Sequence, residues 1–269
     1  MNESLKMKNN ILCGNCLETL KDIPDESIDL ILTSPPYDNL RTYKGYEFDF
    51  KGIAQQLLRV VKKGGVLVWV VGDATLKGSE TGSSFRQALH FMDIGFNLHD
   101  TMIYHKDNPV PTGGGSRYYQ SFEYMFILSK GKPKTFNPIF IPRRNKHNDK
   151  RTVRFRAVTR NPDGSFVKKI VKINQNVKKQ NVWTYIVSGG ASTKDKIAHQ
   201  HPAIFPEKLA EDHILSWSNE GDLVLDPMCG SGTTMKMAAE NNRNYIGIDI
   251  SKEYCAIAKE RIKQLTPKR

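Results

Sequence analysis

Residues 223–234 read Leu-Val-Leu-Asp-Pro-Met-Cys-Gly-Ser-Gly-Thr-Thr, and this stretch decides the fold. Three apolar residues end at Asp226, the turn contains Gly230 and Gly232, and an apolar pattern of helical spacing follows to about Asn241. A strand, a Gly-rich turn and a helix in this order are typical of a unit of a parallel α/β sheet. The turn lacks the Gly-Lys-Ser/Thr of a triphosphate-binding loop and the third glycine of a dinucleotide-binding fingerprint.

The residues around this turn indicate a nucleoside ligand with a charged tail. Bare backbone at the two glycines permits close approach, and exposed N–H groups at a helix start suit a carboxylate. Asp249 lies seventeen residues after Gly232, at the end of the next predicted strand. Doubly wound folds place a carboxylate there on a ribose diol. Asp226 suits a cationic group, so we predict a nucleoside with a compact zwitterionic tail.

A second turn follows the apolar run of residues 28–32 and reads Thr33-Ser-Pro-Pro-Tyr37. The two prolines fix the backbone and push the residues before them into extended geometry. Hydroxyl and carbonyl acceptors beside an aromatic ring can hold a flat ring that bears an amino group. Taken alone, such a turn is more often an ordinary end of a strand.

Predicted strands and helices alternate along the rest of the chain, which indicates a doubly wound, mostly parallel sheet of the Rossmann-like type. The sequence Lys62-Lys-Gly-Gly65 predicts a helix stop before a buried strand. The predicted strands are residues 9–13, 28–32, 66–71, 98–104, 124–128, 223–225 and 244–248, and the main predicted helices are residues 50–61, 83–94 and 251–264, with others ending at Trp217 and about Asn241.

The net charge of +12 over 269 residues is concentrated in one segment. Residues 132–179 contain fifteen Lys or Arg residues, against Asp149 and Asp163 alone, and the rest of the chain is about neutral. A localised excess of this kind points to a polyanion partner. Alternating β-branched residues and the turn at Asn161-Pro-Asp-Gly164 predict a β-rich or irregular insert.

Several classes of protein are disfavoured by the sequence. No apolar run approaches the ~18 to 20 residues of a membrane span, and residues 1–10 are polar, so we expect no secretion signal and a cytoplasmic location. The four cysteines are expected to be reduced. Cys13 and Cys16 lack a second pair for zinc, and His199 with His201 is a poor ligand set, so no metal is predicted.

Two motifs in this order resemble those of a known family. Residues 226–234 resemble the S-adenosylmethionine motif of DNA amino-methyltransferases, and Leu32-Thr-Ser-Pro-Pro-Tyr37 resembles their catalytic motif. Catalytic motif, basic region and cofactor motif follow in the order of the beta group, a circularly permuted methyltransferase fold. The resemblance implies a catalytic half in residues 1–130, a target-recognition insert in 131–182 and a cofactor-binding half in 183–269.

The resemblance also implies site residues. The catalytic residues would be Ser34, Pro35, Pro36 and Tyr37. Contacts to S-adenosylmethionine would come from Asn15, Cys16, Thr33, His201, Phe205, Asp226, Met228, Gly230, Ser231, Gly232, Thr233, Thr234 and Asp249. Contacts to DNA would come from Arg41, Arg143, Arg144, Lys146, Arg151, Arg154 and Arg156.

The implied reaction is methylation of the N4 amine of a flipped cytosine in duplex DNA, because Ser34 stands where the adenine-N6 enzymes usually have Asp. Asn15 replaces a frequent Asp and also favours cytosine, whereas Met228 stands next to the cofactor where the family commonly has an aromatic residue. Adenine-N6 methylation, RNA or protein methylation, and a non-catalytic nucleic-acid-binding module stay open. The resemblance implies a bacterial or archaeal restriction-modification enzyme, monomeric or homodimeric, and allows a separately encoded endonuclease as partner.

Overall fold

The computed structural model describes residues 7–36, 48–109, 111, 114–143, 154–172, 176–187 and 189–265, with backbone alone for 154–158 and 168–172. The chain divides into two units. The larger unit combines Met1–Asn137 with Asn181–Arg269, and the smaller one is Pro138–Gln180. Among the described residues, no helix has both the length and the apolar character needed to cross a bilayer.

Strands and helices alternate along the larger unit, and the smaller unit contains strands only among its described residues. The strands are β1 (Asn10–Cys13), β2 (Ile28–Thr33), β3 (Val61–Val71), β4 (Thr75–Leu76), β5 (Ser79–Glu80), β6 (Asn97–Lys106), β7 (Phe122–Ser129), β8 (Phe140–Pro142), β9 (Arg154–Arg160), β10 (Phe166–Lys172), β11 (Asn176–Lys178), β12 (Val182–Tyr185), β13 (Leu223–Asp226) and β14 (Asn244–Asp249). The helices are α1 (Cys16–Lys21), α2 (Phe50–Val60), α3 (Ser83–Asp93), α4 (Glu207–Trp217), α5 (Thr233–Glu240) and α6 (Lys252–Lys263), and short 3-10 helices span Gly114–Ser116, Gly189–Ala191 and Lys196–Gln200.

Eight strands of the larger unit form one sheet in the order β1-β14-β13-β2-β3-β7-β6-β12. Neighbours are parallel except in the two pairs that involve β7. The chain leaves β13 towards β14 on one side and leaves β2 towards β3 on the other. The direction of winding therefore reverses between β13 and β2, and α/β folds bind ligands outside the carboxyl ends of the strands at such a reversal. The predicted α/β fold with a mostly parallel sheet is confirmed.

Apolar side chains from strands and helices build the core on the sheet. Trp69 of β3 is fully buried, contacts Phe91 of α3 edge-on at 5.0 Å, and donates its ring N–H to Gln87 at 2.9 Å. Ile53 and Leu57 of α2 are buried against the same cluster. Burial of side chains of this size stabilises the fold by roughly 1.5–3 kcal/mol each.

The predicted helix of residues 50–61 is confirmed to within one residue, but residues 62–65 belong to a strand and not to the last turn of the helix. Helix α2 ends at Val60, and Val61 already pairs with Ile28 as the first residue of β3. Lys62 lies in the strand and forms an ion pair with Asp29 at 2.6 Å. Gly64 has φ +83° and lies in the irregular first part of β3. From Val66 to Val71 the strand is regular. Strand pairing with β2 therefore begins β3 at Val61, ahead of the predicted strand of residues 66–71.

In the smaller unit, β9 and β10 form an antiparallel hairpin, and β8 pairs antiparallel with β11. The turn of the hairpin is the predicted Asn161-Pro-Asp-Gly164 sequence, with Gly164 at φ +86°. The Asp163 carboxylate accepts hydrogen bonds from the amide and hydroxyl of Ser165 at 2.8 and 2.6 Å. The turn chemistry thus fixes the hairpin locally.

Candidate cofactor and catalytic site

Four neighbouring strands end at one edge of the sheet and bring the candidate residues together. In the order of the sheet, β1 ends at Cys13, β14 at Asp249, β13 at Asp226 and β2 at Thr33. The two motifs, which lie near opposite ends of the chain, thereby meet at the carboxyl edge. The Gly-rich turn and the Pro-Pro turn follow adjacent strands.

Asp226 is a buried carboxylate held by the start of the Gly-rich turn. Its side chain is 5% exposed and accepts hydrogen bonds from the Met228 amide at 3.1 Å and the Thr234 hydroxyl at 2.8 Å. Burial raises the pKa of Asp226 to about 6, and the nearby Asp249 adds to the rise. A buried carboxylate that ionises with difficulty is stabilised by a cationic ligand.

Asp249 is half-buried and fixes two pieces of backbone. One oxygen accepts from the Gly230 amide at 2.8 Å, and the other accepts from the Ser251 amide at 2.8 Å. Burial raises the pKa of Asp249, while these amides and the charge of His201 oppose the rise. Each carboxylate oxygen has a further lone pair, so the group can also accept from a diol.

The Gly-rich turn requires its two glycines. Gly230 and Gly232 have φ of +49° and +78°, in the left-handed region that L side chains avoid. A Cβ at Gly230 would lie 2.8 Å from Nε2 of His201, and one at Gly232 would lie 2.6 Å from Cβ of Ala258 in α6. The backbone of the turn is therefore packed on one side by His201 and on the other by α6.

His201 and Phe205 belong to the segment that precedes α4. The His201 ring contacts Tyr254 edge-on at 4.4 Å, and its Nδ1 lies 2.7 Å from the Ala203 carbonyl oxygen. The Ala203 amide also lies 3.2 Å from Nδ1, so both backbone polar groups of Ala203 face this ring nitrogen, and Nε2 lies on the side of Gly230. Phe205 is half-buried. The structure thus places His201 against the Gly-rich turn.

The start of α1 lies next to Asp249 because β1 pairs with β14. The Gly14 amide donates to the Asp249 carbonyl at 2.9 Å. The Asn15 side chain caps α1 by accepting from the Leu17 amide at 2.8 Å. Burial raises the pKa of Cys16 to about 11, with smaller contributions from Asp249 and Asp49. Asn15 and Cys16 are therefore near the acid, although the Asn15 oxygen already serves the helix.

The Pro-Pro turn continues β2 directly beside Asp226. The Thr234 hydroxyl lies 2.8 Å from Asp226 and 3.5 Å from the Leu32 carbonyl, so it bridges the two turns. Thr33 is buried, and its hydroxyl interacts with the Asp226 carboxylate, which opposes the rise in the pKa of Asp226. Pro35 is buried, and Ser34 and Pro36 are partly exposed. Tyr37 and Arg41 lie outside the described residues.

The predicted DNA contacts fall mainly in the smaller unit. Arg143 is exposed after β8. Arg154 and Arg156 occupy alternate positions of β9, opposite Lys172 and Ile170 of β10. Arg144, Lys146 and Arg151 lie outside the described residues.

A buried cluster of charged side chains packs behind the Gly-rich turn, and the sequence did not predict it. Arg261 and Lys236 bond to Asp195 and Glu207, which are distant in sequence. The spacing of Arg261 in α6 resembles that of an ordinary surface cation, so no local pattern marks it. Tyr254 was also missed, because no local pattern marks its ring contact with His201. Within the described ranges, no three His, Cys, Asp or Glu side chains are grouped to hold a metal ion.

A family model for DNA methylases of the N6/N4 type matches residues 28–260. The chain belongs to this family of S-adenosylmethionine-dependent DNA methyltransferases.

Particular relatives extend this assignment. The chain is 60% identical over 249 residues to the orphan methyltransferase M.BamHII of Bacillus amyloliquefaciens, covering 90% of this chain and 91% of that one. The PvuII cytosine-N4-specific DNA methyltransferase shares the fold, with a TM-score of 0.68 at 21% identity over 96% of this chain and 87% of that one. The M1.HpyAVI–S-adenosylmethionine complex does so with a TM-score of 0.63 at 23% identity, over 94% and 98%.

The residues present fit S-adenosylmethionine. The buried Thr33 hydroxyl lies beside Asp226, and two carboxylates with raised pKa values adjoin the Gly-rich turn. A sulfonium cofactor with an amino group and a ribose diol matches this combination of donors, acceptors and charge.

Proposed function

We propose that this chain methylates the N4 amine of cytosine in duplex DNA. The observation that supports this most strongly is the sheet order, in which Thr33-Ser34-Pro35-Pro36 continues the strand next to the one that ends at Asp226. Ser34 at the head of the Pro-Pro turn favours an amine on cytosine over one on adenine, by the resemblance given above.

The cofactor half holds and orients S-adenosylmethionine, which supplies a methyl group activated by its sulfonium charge. In this proposal Asp249 accepts from the ribose hydroxyls and the backbone at Gly230 and Gly232 lies along the tail. Asp226 compensates positive charge at low dielectric, where such a contact is strong. His201, Phe205, Met228 and Thr33 surround the same ligand.

The Pro-Pro turn holds the amine. The lone pair of an exocyclic amine is delocalised into the base, so the nitrogen is a weak nucleophile. The Ser34 hydroxyl and the Pro35 carbonyl accept its two N–H hydrogens, which directs the lone pair to the methyl group. The proton becomes acidic once the new bond forms and leaves to water, so no strong base is required. Positioning and electrostatics are the main contributions to rate.

The basic insert contacts the DNA in this proposal. A base inside a duplex cannot reach the Pro-Pro turn, so it must be flipped out at a cost of a few kcal/mol. Phosphate contacts from the insert stabilise the distorted duplex and make affinity fall with salt. We assign residues 1–130 to catalysis, 131–182 to target recognition and 183–269 to the cofactor, in a bacterial cytoplasmic enzyme of the restriction-modification type.

Nucleoside mass spectrometry tests the proposal. DNA from methylation-deficient cells that express the chain should contain N4-methylcytosine, and cells that express Ser34→Ala as a matched control should contain much less. N6-methyladenine instead would overturn the base assignment but retain the enzyme class. Absence of both bases, with purified protein that still binds S-adenosylmethionine, would overturn the proposed reaction.

A further inference from the structure

Arg261 of α6 is an arginine with only 1% of its surface exposed. One guanidinium nitrogen donates to the Ser231 carbonyl at 2.7 Å and to the Thr233 hydroxyl at 3.0 Å. The first acceptor lies in the Gly-rich turn, and the second belongs to the first residue of α5. The peptide between Ser231 and Gly232 is also held from its other side, because the Gly232 amide donates to the Cys229 carbonyl at 2.8 Å. Arg261 therefore fixes the shape of the turn directly.

The same guanidinium binds two carboxylates. Its Nε lies 3.0 Å from Asp195, and its other terminal nitrogen lies 2.7 Å from Glu207. Lys236 of α5 lies 2.8 Å from each of these carboxylates. Burial opposes ionisation of Asp195, but the hydrogen bonds from Lys236 and Arg261 outweigh it and lower its pKa. Two cations and two carboxylates thus compensate one another in a mostly buried cluster.

Asp195 and Glu207 flank the segment that bears His201 and Phe205. Asp195 precedes the 3-10 helix Lys196–Gln200, yet its side chain makes no cap hydrogen bond, because its carboxylate faces the two cations. Glu207 is the first residue of α4 and also accepts from the Thr193 hydroxyl at 2.6 Å. Both ends of residues 195–207 are therefore attached to the helices that follow the Gly-rich turn and β14.

We propose that Arg261 is a positioning residue for the cofactor, because it fixes the His201 segment and the Gly-rich turn relative to one another. Buried ion pairs are often no more stabilising than apolar residues of the same size, so fold stability alone gives little reason for this cluster. The cluster has a specific geometric consequence, because the Arg261 side chain joins the Gly-rich turn to the His201 segment, and both border the proposed ligand site. This inference rests on the cofactor site proposed above.

The test compares two buried arginines. Arg261→Lys retains the charge but cannot reach Ser231, Asp195 and Glu207 together. Arg243→Lys is the matched control, because Arg243 is 9% exposed and donates to the Ser218 and Asn241 carbonyls at 2.7 and 2.6 Å, at the amino edge of the sheet. Arg261→Lys should raise the Kd for S-adenosylmethionine roughly 10- to 100-fold, the range expected when charge-assisted hydrogen bonds are removed. The control should leave that Kd unchanged.

Two further measurements separate positioning from a purely structural role. At saturating S-adenosylmethionine, kcat and the KM for DNA should stay near wild type in Arg261→Lys. Hydrogen exchange of the amides in residues 196–206 should become faster in this variant alone. If both variants lower Tm and neither moves the Kd or the exchange of the segment, the positioning role is overturned.

A second variant tests the proposal in case Arg261→Lys fails to fold. Asp195→Asn loosens one end of the segment and leaves Arg261 in place, so it should also weaken S-adenosylmethionine binding and accelerate the same exchange. Wild-type affinity in Asp195→Asn would contradict the inference. Failure of the site itself is distinguishable, because Asp249→Ala would then leave the Kd unchanged, whereas a failed Arg261 role leaves the Asp249→Ala effect intact.

Discussion

Two turns lie side by side at the ends of β13 and β2, and they reach their shapes in opposite ways. The Gly-rich turn depends on positive φ at Gly230 and Gly232 and on contacts from distant elements, including His201, Asp249 and Arg261. The Pro-Pro turn is fixed by its own covalent rings. The Thr234 hydroxyl, which lies between Asp226 and the Leu32 carbonyl, links the end of β2 to the neighbouring turn.

Because of this difference, we expect mutations in the two turns to have different consequences. Changes in the Gly-rich turn should disturb the packing around it and hence both stability and cofactor affinity. Changes in the Pro-Pro turn should alter the chemistry while the cofactor still binds. In the proposed function, the identity of the base depends on Ser34, whereas cofactor binding depends on contacts that span most of the larger unit.

The largest expected effect is on the Gly-rich turn. Gly232→Ala should destabilise the protein by about 4 kcal/mol, because it adds a left-handed penalty to overpacking against Ala258 at 2.6 Å. Gly221→Ala is the matched control, since Gly221 has φ +83° but no atom within 4 Å of the added Cβ. It should cost only about 1–2 kcal/mol. Urea denaturation of both variants measures the difference, and equal costs would mean that packing against α6 is unimportant.

Ser34→Ala should affect the reaction and leave the cofactor in place. We expect kcat to fall about 10²-fold, or about 3 kcal/mol, as when one preorganised hydrogen bond in the transition state is removed. Calorimetry should give an unchanged Kd for S-adenosylmethionine. Ser251→Ala, which removes the hydroxyl that caps α6 at 3.3 Å, serves as the control and should leave kcat unchanged. A near-wild-type kcat in Ser34→Ala would assign the amine to other groups.

The sequence predicted the sheet well because buried parallel strands are short apolar runs. Asp226 and Asp249 were predicted from their places at strand ends, and the structure puts both beside the Gly-rich turn. The extension of β3 back to Val61 was missed, because its strand pairing with Ile28 is a tertiary contact that local signals around Lys62 do not contain. Propensity is regularly overridden in this way.

The charged cluster behind the turn could not be predicted for a related reason. Arg261 and Asp195 are 66 residues apart, and the residues around each follow no pattern that names the other. Arginine is rarely buried in proteins, so a sequence alone predicts an exposed side chain at such a position. The raised pKa of Asp226 likewise depends on desolvation by the fold and not on neighbours in the chain.

Asp226 should make stability depend on pH. Its pKa is about 6 in the folded protein against an ordinary value of 3.8, so the folded state binds a proton between these values that the unfolded state has released. Stability therefore falls as pH rises through this window, and the full cost is present above about pH 6. Asp226→Asn should be more stable than wild type at pH 7.5 by up to about 3 kcal/mol, while its affinity for S-adenosylmethionine falls.

Asp73, just after β3, provides a control of opposite sign. Its burial is outweighed by hydrogen bonds from Ser84, Ser83 and Thr81, so its pKa is lowered. Its contribution is present above the ordinary pKa and is lost as pH falls through the lowered value. Asp73→Asn should thus lose stability at pH 7.5. A gain for Asp73→Asn, or a loss for Asp226→Asn, in urea denaturation at that pH would contradict the assigned environments.

The smallest expected effect is on DNA affinity and comes from the basic insert, residues 131–182. It should not change either of the two turns. Replacing Arg143, Arg154 and Arg156 by Gln should leave the Kd for S-adenosylmethionine unchanged and reduce the slope of log K for DNA against log salt by about 0.9 for each phosphate that the protein no longer neutralises. The matched control replaces three exposed cations at the amino edge of the larger unit's sheet, namely Lys21, Lys63 and Lys263. A slope change confined to the insert variant would assign the phosphate contacts to the insert. Equal changes in both variants would mean that affinity follows total charge, and the target-recognition role of residues 131–182 would then lose its electrostatic support.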